Sequence, residues 1–60
     1  MNYEVGDLVT LSYDQFRIYG YGIVLGRHQY GEWEVYWFLD RCIHLETSLD
    51  IRPATMPEQS

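Results

Sequence analysis

Along residues 32 to 39, EWEVYWFL, apolar and polar positions alternate with period two: Trp33, Val35, Trp37 and Leu39 fall on one parity, and Glu34, Tyr36 and Phe38 on the other. Successive side chains of a strand point to opposite faces, so this spacing predicts a strand with its Trp33 face toward a core. Residues 5 to 13, VGDLVTLSY, begin with a Gly-Asp turn signal and then separate Val9, Leu11 and Tyr13 from Leu8, Thr10 and Ser12, which predicts a half-buried first strand. Residues 21 to 28, YGIVLGRH, read as a second strand, and QYGE closes it with a glycine-containing hairpin turn. This strand is apolar on both parities, which leaves open whether Val24 or the Ile23 and Leu25 pair faces the core. In residues 42 to 46, CIHLE, the pattern places Ile43 and Leu45 inward and Cys42, His44 and Glu46 outward. Thr47, followed three residues later by Asp50, resembles a capping box for a single helical turn. The segment DIR then adds a short closing strand that Pro53 stops. Residues 14 to 20 mix charge, aromatic rings and glycine without period and read as a loop folded back on the strands.

The chain is thus expected to be all-β: a small five-stranded barrel over residues 1–52, with one helical turn before the last strand, and a C-terminal tail over residues 53–60. Its predicted core is Leu11, Val35, Trp37, Leu39, Ile43, Leu45 and Ile51. A chain of 60 residues buries only about 60% of the surface its unfolded form exposes, so such a core is marginal and leans on large rings. Six Tyr, two Trp and two Phe supply them.

The long first loop, the hairpin-linked middle strands and the turn before the fifth strand resemble an SH3-like barrel, in the broad sense that includes KOW and Tudor modules. The residues that carry the resemblance are GDLV entering the first strand, GYGIVLG in the second, WEVYW in the third and HLETSLDI running into the fifth, over roughly residues 4 to 52. More finely, GIVL, the aromatic YWF strand and the HLETSLDI segment resemble small proteins of tailed bacteriophages, including cyanophages. That resemblance implies a phage accessory or virion component and no catalytic residue.

Charge narrows the range of partners. Nine Asp and Glu against four Arg, with no Lys, give a formal net charge of −5, which argues against general binding to nucleic acid, where cations neutralise phosphate. Cys42 is the single cysteine, so no disulfide framework forms, and a reducing cytoplasmic setting, or a virion, fits. No signal peptide is expected from MNYEVGD, and no apolar run approaches the roughly 20 residues that span a bilayer.

Three constellations invite chemistry. Gly20, Gly22 and Gly26 approach a dinucleotide-binding loop, but that loop needs a following helix to receive the pyrophosphate, and here strand formers and a hairpin follow. Curvature of a strand explains Gly22 and Gly26, and a positive φ explains Gly20. Cys42, His44 and Glu46, with Asp40 before them, are residue types that bind zinc, yet structural sites draw pairs from separate elements, and His28 joins them only if the second strand lies beside the fourth. Neither a metal nor a cofactor is expected. The Cys42 and His44 pair lacks an orienting third group, and Glu32 with Glu34 lacks a cleft, so no enzyme is expected.

Aromatic residues outside the predicted core remain. Tyr13, Phe16, Arg17, Tyr19, Tyr21, Tyr36 and Phe38 are the expected partner-binding residues, with Arg27 as a further carboxylate partner. Three uses follow: an extended peptide across Tyr13, Tyr19 and Tyr36 selected by Asp14, Glu32 and Glu34; a cation in an aromatic cage; or assembly through a strand edge. The expected function is a non-enzymatic protein-interaction module, a phage accessory or virion-associated part that binds a protein partner or itself. The alternatives are a small acidic inhibitor covering a basic surface of a host protein, and a nucleic-acid binder that stacks bases on its rings.

Overall fold

The computed structural model describes residues 3–14 and 18–54. Five strands follow one another: β1 (Leu8–Leu11), β2 (Gly22–Arg27), β3 (Trp33–Trp37), β4 (Cys42–Glu46) and β5 (Ile51–Pro53). They form one antiparallel sheet in the order β4-β3-β2-β1-β5, and no helix occurs among the described residues. This arrangement is consistent with a small barrel-like fold, but the barrel expected from sequence does not close. Among the described residues no ladder joins β4 to β5, and the three residues of β5 pair with β1.

Cross-strand partners share a face, so the register sorts the side chains. The inner face carries the rows Val9–Gly22–Trp37–Cys42 and Val24–Val35–His44. Val9, Val24 and Val35 are fully buried there, each worth ~1.5–3 kcal/mol relative to exposure. Trp33, Trp37, Leu11 and Ile51 complete the layer. Tyr3 closes one end, its ring edge-on to Trp33 at 5.6 Å between centroids and its hydroxyl donating to the Ile51 carbonyl at 3.2 Å.

Leu11, Val35, Trp37 and Ile51 are buried as expected, whereas Leu39, Ile43 and Leu45 are 66%, 55% and 45% exposed. Strand β3 ends at Trp37, and Leu39 falls in the turn that follows. That turn also decides β4. Arg41 takes a left-handed φ of 55° and donates its N–H to the Trp37 carbonyl at 2.8 Å, which sets Trp37 opposite Cys42. Cys42, His44 and Glu46 therefore share the Trp37 face, and Ile43 and Leu45 take the outer one. Turn geometry has overridden the hydrophobic pattern, and a strand's parity follows its register.

In β2, Val24 takes the core position. A bulge between Val24 and Gly26 adds Leu25 as the extra residue and resets parity, so that Arg27 lies over the Trp33 ring at 5.3 Å. Gly22 is required by packing: a Cβ there would lie 2.6 Å from Val35 Cγ1 and 2.7 Å from Trp37 Cε3. Gly20 has the positive φ expected of it, 70°.

The helical turn expected after β4 is instead a hydrogen-bonded turn. Asp50 N–H donates to the Thr47 carbonyl at 3.0 Å, and the Thr47 hydroxyl donates to the Asp50 carboxylate at 2.9 Å. The Asp50 N–H thus goes to the Thr47 carbonyl rather than to the Thr47 hydroxyl that a capping box would require. Pro53 does not stop β5 but is its last residue, and Ala54 N–H still donates to the Leu8 carbonyl at 2.9 Å.

Candidate functional site

Where the sheet stays open, the end of β1 and the first loop face β4 across a groove of about 210 Å³. Leu11 and Trp37 form its floor, Tyr13 and Tyr19 one rim, and Asp40, His44 and Glu46 the other. Each side chain is placed by a local device. Asp14 N–H donates to the Leu11 carbonyl at 3.1 Å and turns the chain at Tyr13. The Asp14 carboxylate, buried, then accepts the N–H groups of Ile18 and Tyr19, both at 2.8 Å, which fixes the start of the Tyr19 rim. On the far side the Trp37 indole N–H donates to Glu46 Oε2 at 3.1 Å, so the carboxylate is held against the ring.

The groove is electronegative. The Tyr13 hydroxyl is pushed above its ordinary pKa by desolvation and then by Glu46, Asp50, Tyr19 and Asp14 around it. Aromatic faces and carboxylates around one recess attract a cation, because ring quadrupole and charge act with the same sign.

The residues expected to bind a partner divide between two sides of the sheet. Tyr13 and Tyr19, 68% and 48% exposed, line the groove. Tyr36 and Phe38 lie on the outer face with their rings edge-on at 5.7 Å. Tyr21 is half-buried, and its carbonyl accepts Phe38 N–H at 3.1 Å. Phe16 and Arg17 lie outside the described residues. An extended peptide across Tyr13, Tyr19 and Tyr36 therefore has no continuous surface, since Tyr36 and Trp37 point to opposite faces. The Asp14 carboxylate is buried, and each of its oxygens accepts a loop N–H.

Sequence reasoning assigned Trp37 to the core alone and missed its second role as groove floor and anchor of Glu46. No local pattern carries that signal, since the pair depends on the β3–β4 register.

Cys42, His44 and Glu46 do share one face, the inner rather than the outer. His44 Nε2 lies 3.0 Å from Cys42 Sγ, while Glu46 turns to Trp37. His28 cannot join them, because β3 separates β2 from β4. Among the described residues no group of three or more His, Cys, Asp or Glu is placed to hold a metal ion. The described arginines are dispersed. Arg27 lies opposite Trp33 at one end of β3, Arg41 lies in the turn at the other end, and Arg52 is on the edge strand β5.

Comparison with known proteins finds no matching family model, no similar curated protein and no similar solved structure.

Proposed function

We propose that this protein is a non-enzymatic interaction module that receives a cationic side chain of a protein partner in the groove between β1 and β4. The observation that carries the reading is the convergence of Tyr13, Tyr19 and Trp37 with Asp40 and Glu46 on one recess. A cation over such rings gains ~0.5–2 kcal/mol, more as it is desolvated. Glu46 is already oriented by the indole N–H, so it loses little freedom on binding. The net charge of −5 adds long-range attraction for a basic partner.

In finer terms, the strand order and loop lengths support an SH3-like module of the KOW and Tudor kind, and the reading extends, on the resemblance of its sequence to tailed-phage proteins, to a phage accessory or virion-associated part in the host cytoplasm or the virion. The acidic groove equally favours the inhibitor reading, in which the partner is the basic, nucleic-acid-binding surface of a host protein. Direct nucleic-acid binding has less support, because the described arginines do not converge on one face.

The test is calorimetric titration of short peptides carrying a central Arg or Lys, against the same peptides with norleucine at that position. The cationic peptides should bind, with affinity falling as salt rises, and Tyr19→Ala and Glu46→Gln should each weaken binding about tenfold, equivalent to ~1.4 kcal/mol. Equal binding of the norleucine peptides would sink the reading.

A further inference from the structure

The two edges of the sheet carry different sets of backbone groups. Along a strand these groups alternate sides, so one hydrogen bond fixes the direction of the rest. Phe38 N–H donates back to Tyr21 at the edge of β2, which directs Tyr36 toward β2 and Trp33, Val35 and Trp37 toward β4. Their partners Glu46, His44 and Cys42 point back at β3. The N–H and C=O groups of Ile43 and Leu45 therefore aim outward, and among the described residues no strand pairs with them.

At the other edge, Ala54 N–H donates to Leu8 and the Asp50 carbonyl accepts Ser12 N–H, so Arg52 points to β1 and the free edge belongs to Ile51 and Pro53. Proline has no N–H to offer, and the strand is three residues long. By contrast, β4 is five residues long, with neither Pro nor Lys, a regular register to β3 and two half-exposed apolar side chains. Those are the marks of an edge receptive to strand addition.

We propose that β4 pairs antiparallel with β4 of a second copy of this chain, about a two-fold axis through His44. The register follows from the directions of the groups. With His44 opposite His44, Ile43 of each copy faces Leu45 of the other, and every outward N–H and C=O of both residues finds a partner. A slip of one residue sets outward groups against groups already bonded to β3. A slip of two pairs Ile43 with itself and leaves Leu45 without a partner. The same register joins Ile43 and Leu45 side by side on the outer face and continues the apolar row Leu8–Ile23–Tyr36–Ile43 into the second copy.

One strand edge covers less than the ~1,000 Å² typical of a stable interface, so the dimer is of the weak, concentration-dependent class. Each copy carries a formal charge of −5, so added salt relieves repulsion and strengthens the pair. This is the opposite of the salt response expected of the groove, and the two proposals fail separately.

Sedimentation velocity over a concentration series, with amide hydrogen exchange at its two ends, tests the inference. The expected result is a monomer that shifts to a dimer as concentration rises. The Ile43 and Leu45 amides should exchange fast when dilute and at least tenfold more slowly when concentrated, while Cys42, His44 and Glu46 stay protected throughout. Leu45→Pro removes an outward N–H without touching the β3 ladder, and Ile43→Lys places a charge at the pairing edge. Both should abolish dimerisation, and Ile43→Lys carries the test alone if the proline variant does not fold. A monomer at every concentration would overturn the proposal, as would a dimer in which the Ile43 and Leu45 exchange rates do not change. Protection of those two amides at every concentration would mean that another segment of the same chain covers the edge, and would overturn it too.

Discussion

The inner row Val9–Gly22–Trp37–Cys42 and the outer row Leu8–Ile23–Tyr36–Ile43 cross the same four strands, one residue apart, yet they meet different surroundings. On the inner side, Tyr3 and Ile51 close over the sheet, and Val9 has no exposure. On the outer side, Leu8, Ile23 and Tyr36 are half-buried, and Ile43 is 55% exposed. Apolar character is present in both rows. What separates them is whether another segment of the chain returns to cover the side chain, and that is a property of topology rather than of the residue.

The comparison breaks most visibly at Trp37. Replacing it with Ala should cost ~3–5 kcal/mol, close to the whole stability of a domain this small, and denaturant unfolding should find the variant largely unfolded in buffer. A cooperatively folded Trp37→Ala protein would contradict the inner-face assignment. Next in size, Gly22→Ala should destabilise by ~1–3 kcal/mol, because the added methyl meets Val35 and Trp37, both buried, inside van der Waals distance. Thermal melts would show a lowered midpoint, whereas Gly26→Ala, with nothing within 4 Å, should change little.

A third effect is read from pH. The Tyr3 hydroxyl is held above its ordinary value of 10.0 by burial and then by Asp7, so the folded state retains its proton longer than the unfolded state. Its contribution is complete below pH 10 and is lost as pH rises through the folded value. Stability should therefore decline on the alkaline side of pH 10, and Tyr3→Phe should remove part of that decline. It should also cost ~0.5–1.5 kcal/mol at neutral pH for the hydrogen bond to Ile51. Smallest is the outer face: Ile43→Ser should stay within about 0.5 kcal/mol of the parent in dilute solution, as an exposed position does. A loss as large as that of Gly22→Ala would show that the outer face is also a core.

Strand existence was legible in the sequence because period two is written locally, and CIHLE was located to the residue. Its facing was not, since Ile43 and Leu45 look like core until the left-handed Arg41 sets the β3–β4 register. The parity of β2 was undecidable for a related reason: a bulge at Leu25 gives the strand two parities, and both look apolar. The groove was half visible. Tyr13 and Tyr19 are readable as loop aromatics, but Asp40, His44 and Glu46 join them only because the sheet stays open and brings β4 opposite the end of β1. The role of Asp14 was hidden too, since a loop carboxylate that binds two backbone N–H groups has the same letter as one that faces solvent.

Pro53 bears on how far this chain can polymerise. A sheet with two receptive edges adds copies without end, each new molecule presenting the same site as the last, and the product is a fibre. Here Pro53 removes an N–H from the free side of β5, so of the two edges among the described strands β4 is the more receptive, and a pair joined there would turn two poorly receptive flanks to the outside. One imino acid at the end of the shortest strand thus works against open-ended growth.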